Sequence, residues 1–277
     1  KEDLEIIEET QEEISDTIGK LFKTHKDISG DIVNVIITKI LPRFASQTSS
    51  VYESKMALYI VDDMIEFLGM DMLANIWDDL YKLLISLVVN KNNQIRQAAA
   101  YGIGIFAQFT TKDFDKYAPE LIKNLQNAEK IPPEEEEDEE DWGIAHDNIT
   151  ASYGKILFYQ HNSELIKKNM SDLITAWIKN LPIVYDDVEQ EKQHEWLADM
   201  ALLKFEMIPA NCLDQTFKVL AKIYNSKSSS DATNEKIEKI FIAAKANPQI
   251  QPVIDRVYQS AENKIKKKIE KLINNNA

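Results

Sequence analysis

The stretch Gln94–Phe109 reads QIRQAAAYGIGIFAQF. Its apolar positions, Ile95, Ala98, Ala99, Gly102, Ile105, Phe106 and Phe109, recur at the i, i+3, i+4, i+7 spacing of one buried helix face. Gly102 and Gly104 should each weaken an exposed helix by about 1 kcal/mol relative to alanine. A helix that keeps both is expected to be pressed closely against a neighbour.

The same design recurs along the chain. Tyr59, in KMALYIVDDMIEFLG, precedes Tyr101 by 42 positions, and Tyr153, in ITASYGKILFYQ, follows it by 52 with an acidic insertion between. Ile18-Gly19-Lys20-Leu21 repeats the pattern of Tyr153-Gly154-Lys155-Ile156. A period near 42 is that of a helical-pair repeat of the HEAT or armadillo kind. The expected fold class is therefore all-α, an α-solenoid of about six antiparallel helix pairs, with residues 1–277 forming one such solenoid. The chain opens on Lys1 rather than Met and is expected to be a piece of a longer one.

Composition agrees. Only 7 glycines and 8 prolines occur in 277 residues, under half of average usage, which disfavours turn-rich β folds. The net charge of −14 speaks against general nucleic-acid binding, which needs a basic surface, and is compatible with a basic protein partner. A single cysteine, Cys212, leaves no internal disulfide and suits a reducing compartment. The longest apolar run, Leu83–Val89, is too short to span a bilayer.

In order, the helices expected are Leu4–His25 (Leu4, Ile7, Ile14, Ile18, Leu21 and Phe22 inward), Ile32–Phe44 with Asp31 as N-cap and Pro42 at its end or kink, Val51–Leu68 and Met72–Val89 split at Gly69, the Gln94–Phe109 helix, and Asp113–Ala128. Next come Ile144–Tyr159, Glu164–Asn180, Asp187–Glu206, Cys212–Tyr224, Glu235–Ala246 and Pro252–Ile273, whose lysines could cap the stack. Residues 129–142 read as an acidic loop between repeats. It holds eight consecutive acids, Glu134, Glu135, Glu136, Glu137, Asp138, Glu139, Glu140 and Asp141. Its plainer reading is a solvated, disordered loop; its sharper reading is an electrostatic lure for a basic partner.

No constellation supports an enzyme or a cofactor. His25, His146, His161 and His194 fall in different repeats with no second ligand at metal spacing. Gly102-Ile103-Gly104 lies inside a helix, not at a strand end where a phosphate loop would be. Asp62-Asp63, Asp78-Asp79 and Asp186-Asp187 are adjacent pairs, and neighbours on a helix do not face each other. Cys212 lacks a base and reads as a small buried residue. Trp77 and Trp177 read as core; Trp142, beside the acids, reads equally as core or as an exposed contact.

The segments IRQAAAYGIGIFAQF, YIVDDMIEFLG, DNITASYGKILF and WIKNLPIVYDD resemble the C-terminal HEAT repeats of the importin-beta superfamily, from about Val51 to Asp187. The run of eight acids departs from that pattern. The resemblance implies a nuclear transport receptor that shuttles between cytoplasm and nucleus. It would capture basic cargo, release it to Ran-GTP, and pass FG-repeat nucleoporins, with the principal Ran-binding repeats outside this chain. It also implies that second helices of each pair line the concave side, which makes Asp78, Asp79 and Asp172 candidate cargo contacts; their plainer reading is solvated helix surface. A phosphatase scaffold would share the periodicity.

Overall fold

The computed structural model describes residues 2–28, 30–44, 49–133 and 139–274. The chain is all-helical, with no strand among the described residues. Its helices are α1 Glu2–Thr24, α2 Gly30–Val35, α3 Leu41–Phe44, α4 Val51–Met72, α5 Trp77–Leu87, α6 Asn93–Phe109, α7 Ala118–Ala128, α8 Glu139–Tyr159, α9 Glu164–Asn180, α10 Asp187–Leu203, α11 Leu213–Ile223, α12 Asp231–Ala246, α13 Gln251–Ser260 and α14 Asn263–Asn274. They form two compact units, Lys1–Ile166 and Lys167–Ala277. Among the described residues no helix is long and apolar enough to cross a membrane.

In the first unit α1 packs on α4, α4 on α6 and α6 on α8, making one layer, while α5 and α7 pack together beneath α6. This is the stacking of an α-solenoid, in which no pair buries its apolar face alone. Helix α6 is buried more completely than a single stripe. Besides Ile95, Ala98, Ala99, Gly102, Ile105 and Phe106, it buries Arg96, Ala100, Ile103, Gly104 and Ala107. The reason is that α6 has neighbours on three sides. A Cβ placed on Gly102 would fall 2.2 Å from Asp62 Oδ1 of α4 and 2.6 Å from Leu84 Cδ2 of α5, and one on Gly104 would fall 2.7 Å from Lys155 Cδ of α8. Across that second contact the Ser152 hydroxyl donates to the Ala100 carbonyl at 2.6 Å. Below α6, Trp77 stacks on Phe106 with ring centroids 4.8 Å apart, and Tyr117 meets Phe106 edge-on at 5.1 Å.

Local signals fix where these helices start and stop. The Asn92 side chain caps α6 by accepting from the Ile95 amide, and Ser50 and Glu53 form a reciprocal capping box on α4. Gly69, with φ of 73°, supplies the left-handed residue that breaks the chain from α4 toward α5. The buried Arg96 guanidinium donates to the carbonyls of Asn90 at 2.8 Å and Lys91 at 2.9 Å, so the loop before α6 is tied to it.

Several expectations shift. Pro42, expected at the end or at a kink of its helix, lies in α3, which ends at Phe44, just after an irregular turn. The preceding residues, Ile36–Ile40, widen into π geometry, with the Leu41 amide bonded to the Ile36 carbonyl; a wider turn eases the crowding that a proline ring imposes on the turn before it. Asp31 sits inside α2, which begins at Gly30, so it is not the N-cap. In α1, Phe22 is fully buried but Ile14 is 45% exposed, because α4 covers a narrow strip; the Leu4 and Ile7 side chains lie outside the described residues. Pro119 is in the first turn of α7, where its missing N–H has no helical partner to lose. The C-terminal stretch is two helices, α13 and α14, not one.

In the second unit α10, α12 and α14 pack in succession, with α11 and α13 as the other layer. Trp177 of α9 is buried and donates to the Gln193 side chain of α10 at 2.8 Å. Phe217 and Phe241 meet edge-on at 5.4 Å. Lys268 of α14 donates to the free carbonyls at the end of α11, those of Lys222 and Tyr224. One of the terminal lysines thus ties α14 to its neighbour.

The glycine contact yields a test. Gly102→Leu should overpack the α4–α6 approach and destabilise the chain by about 1–3 kcal/mol, read as a lower urea midpoint with helical content retained before the transition.

Candidate functional site

Asp78 and Asp79 occupy the first turn of α5, where carboxylates complement the positive end of the helix dipole. Both are exposed, yet each is engaged locally. The Asp78 carboxylate takes the Lys116 ammonium at 2.6 Å and the Tyr117 hydroxyl, and these hydrogen bonds hold its pKa below the ordinary value. Asp79 pairs with Lys82 one turn on, at 3.0 Å. Asp172 is exposed on α9, beside the buried Leu173 and Ile174. Asp78 and Asp79 belong to the first unit and Asp172 to the second. The first two are brought together, but their charges already face lysines.

The acidic run divides. Glu139, Glu140 and Asp141, expected in a loop, form the first turn of α8. Three acids at a helix N-terminus lower the free energy of that turn, and this local effect overrides the repulsion that argued for disorder. Asp141 also accepts from the Gln94 side chain at 3.2 Å. Glu134, Glu135, Glu136, Glu137 and Asp138 lie outside the described residues. Trp142 proves half-buried: its indole N–H donates to the Ile131 carbonyl at 2.8 Å, and its ring stacks on His146. That bond joins the chain on one side of the acids to the helix on the other.

A feature that sequence reading passed over lies on α4. Asp62 is buried, and neither of its carboxyl oxygens has a hydrogen-bond partner among the described residues. It points at Gly102 on α6, whereas Asp63 points at Gly19 on α1, where an added Cβ would fall 2.1 Å from Asp63 Oδ2. Adjacent acids thus address different neighbours, as helix geometry requires. The signal was present: Leu58, Asp62 and Ile65 share the inward stripe of LYIVDDMIEF. Burial pushes the pKa of Asp62 well above the ordinary value, reinforced by Asp63 and Glu66 and opposed by Lys155 of α8, whose ammonium lies 4.5 Å from the centre of the Tyr101 ring. Asp63 is pushed up to about 7, first by burial and then by Glu66 and by Asp16 of α1.

The histidines are scattered. His161 Nδ1 lies 2.8 Å from the Phe158 carbonyl. His194 is fully buried, with Nδ1 3.1 Å from the Ser228 carbonyl and Nε2 without a hydrogen-bond partner among the described residues, and burial holds its pKa below the ordinary value. Cys212 is buried, 3.6 Å from the Thr175 hydroxyl. Among the described residues no group of three or more His, Cys, Asp or Glu side chains is placed to hold a metal ion.

The Asp63 carboxyl makes stability pH-dependent. Its ordinary pKa is 3.8 and its folded value about 7. Between those values the folded chain keeps a proton that the unfolded chain releases, so this contribution is fully present below about 4 and is lost as pH rises through about 7. Asp63→Asn removes it. The variant should melt above the parent at pH 8, with the gap closing as pH falls toward 5, in paired thermal melts.

No family model matches the chain. Over 144 residues, 52% of the chain, it is 24% identical to importin subunit beta-3 of Saccharomyces cerevisiae, and the match covers 13% of that protein's length. The chain is thus similar, distantly, to an importin-beta protein built of HEAT-like helical repeats.

Proposed function

We propose that this chain is a segment of a nuclear transport receptor that binds basic cargo proteins, without catalysis, and shuttles between cytoplasm and nucleus. The observation that carries the reading is the similarity to importin subunit beta-3 over half the chain. The repeat architecture supports it, because stacked helix pairs offer extended surfaces for protein partners. So does the net charge of −14, which favours basic partners and raises their association rates.

In this reading cargo release by Ran-GTP is a shift between arrangements of the helical stack, driven by the difference in Ran affinity between them. FG-repeat nucleoporins are the partners that carry the receptor through the pore. Asp78, Asp79 and Asp172 remain contacts for basic side chains. To engage cargo, Asp78 would exchange Lys116 for a cargo cation, and surface pairs of that kind are weak enough, at about 0–1 kcal/mol, to be exchanged.

The test is binding of a basic import-signal peptide, with an acidic peptide of equal length as control. The reading expects salt-sensitive binding of the basic peptide alone, and indifference to salt or to peptide charge would reject it. Replacing Glu134–Asp138, which precede α8, with an uncharged linker should lower the association rate at low salt and matter little once the Debye length falls to about 3 Å at 1 M. Stopped-flow mixing at the two salt concentrations reads this directly.

A further inference from the structure

The loop between α9 and α10 places apolar side chains outward on a firmly held backbone. Val184 is 54% exposed, Tyr185 44% and Val188 80%, so three of the chain's well-exposed large apolar residues fall within five positions. Scattered exposed apolar residues need no explanation, but a group of them does. The loop is not merely slack. Leu181 and Ile183 are buried on its near side. The Gln215 side chain of α11 donates to the Leu181 carbonyl at 2.9 Å. Asp186 caps α10, accepting from the amides of Val188 at 2.9 Å and Glu189 at 3.0 Å. The backbone that carries Val184, Tyr185 and Val188 is therefore held from both ends, which reduces the entropy lost when a partner covers them.

Carboxylates border this patch. Asp186 is half-buried, and Asp187 and Glu191 are exposed. The nearby cation, Lys192, is turned to Glu195 at 2.9 Å and lies over the Trp196 ring. An apolar patch bordered by carboxylates suits a segment that offers an apolar side chain between cations.

We propose that Val184, Tyr185 and Val188, with Asp187 and Glu191 at their border, form a docking surface for a basic protein segment in which an aliphatic or aromatic side chain is flanked by lysine or arginine. The proposal rests on the cargo-binding reading for the basic character of the partner, and adds where it docks and why an apolar side chain is required. The apolar contact supplies affinity and the carboxylates choose the partner by charge.

The experiment uses the whole 277-residue chain and three labelled peptides: alternating Lys-Leu, all-Lys and alternating Glu-Leu, each of equal length. Binding is followed by fluorescence anisotropy. The double variant Val184→Ser, Val188→Ser should weaken Lys-Leu binding about tenfold or more, given the apolar area that two valines contribute, while all-Lys binding stays unchanged. Asp187→Asn with Glu191→Gln should weaken both basic peptides at low salt. All four positions are exposed, so circular dichroism and melting should match the parent. Equal Lys-Leu affinity in the parent and in the serine variant overturns the docking surface and leaves the cargo reading standing. Failure of the parent to bind either basic peptide overturns both. Glu-Leu binding that depends on Val184 and Val188 overturns the basic partner.

Discussion

Close approach of α4, α6 and α8 is the constraint from which most of the first unit follows. Three helices can lie side by side at short range only if the side chains between them are small or absent. Gly102 and Gly104 remove the Cβ atoms on two faces of α6, where side-chain atoms from α4, α5 and α8 stand at 2.2–2.7 Å from where those atoms would be. The helix forgoes propensity at two positions and gains packing on both flanks. With α6 held between α4 and α8, its third side is free to take the aromatic cluster of Trp77, Tyr81, Phe106 and Tyr117. Dispersion over such a contact is individually small and collectively large.

The same closeness explains why Asp62 is where it is. A carboxyl between two helices would ordinarily be excluded, because burying an unpaired charge is expensive. Here it abuts Gly102, so the space left by the missing Cβ is filled by its oxygen. Its raised pKa means that it answers burial by holding a proton, and Lys155 limits the penalty from the other flank. Asp63 repeats the arrangement at Gly19 on α1, less deeply buried and with its pKa pushed up to about 7. Two successive acids thus place two successive helix contacts beside carboxyls whose pKa burial raises.

Much of the fold could be read from residues alone because helical repeats encode it locally. Period, small-residue stripe and capping residues all act within a few positions, and Gly69 and Gly102 took the roles their chemistry suggests. What escaped the sequence was decided by neighbours far along the chain. That α6 has company on three sides depends on α4 and α8 meeting it from 40 to 50 positions away. That Asp78 has Lys116 and Tyr117 beside it depends on the loop after α6. Asp31 misled for a local reason: a capping residue states a preference, and a helix that starts one residue earlier absorbs it, whereas Pro42 leaves its mark as a widened turn. The acids of α8 misled because composition counts charges without asking where on a helix they fall.

The surface charges separate into two kinds, and this bears on what the chain can bind. Asp78, Asp79 and Glu195 are matched by lysines of the same unit, Lys116, Lys82 and Lys192 respectively, so their fields are short-ranged. Asp214 is matched by Arg256 through two hydrogen bonds. Such pairs shape the surface without attracting much from a distance, since a paired charge is a dipole. Such pairs cancel in the net charge of −14, and the eight consecutive acids at Glu134–Asp141 are the densest run of carboxylates in the sequence. On the proposed reading, attraction at range and grip at contact would be supplied by different parts of the chain. An acidic segment can hasten the arrival of any basic protein, but it cannot tell one from another. Discrimination requires a surface with fixed shape and an apolar element, because only a partner with the matching side chain recovers the burial energy. On the proposed reading a receptor for basic partners needs both, and keeping them apart in the chain would let each be tuned without disturbing the other.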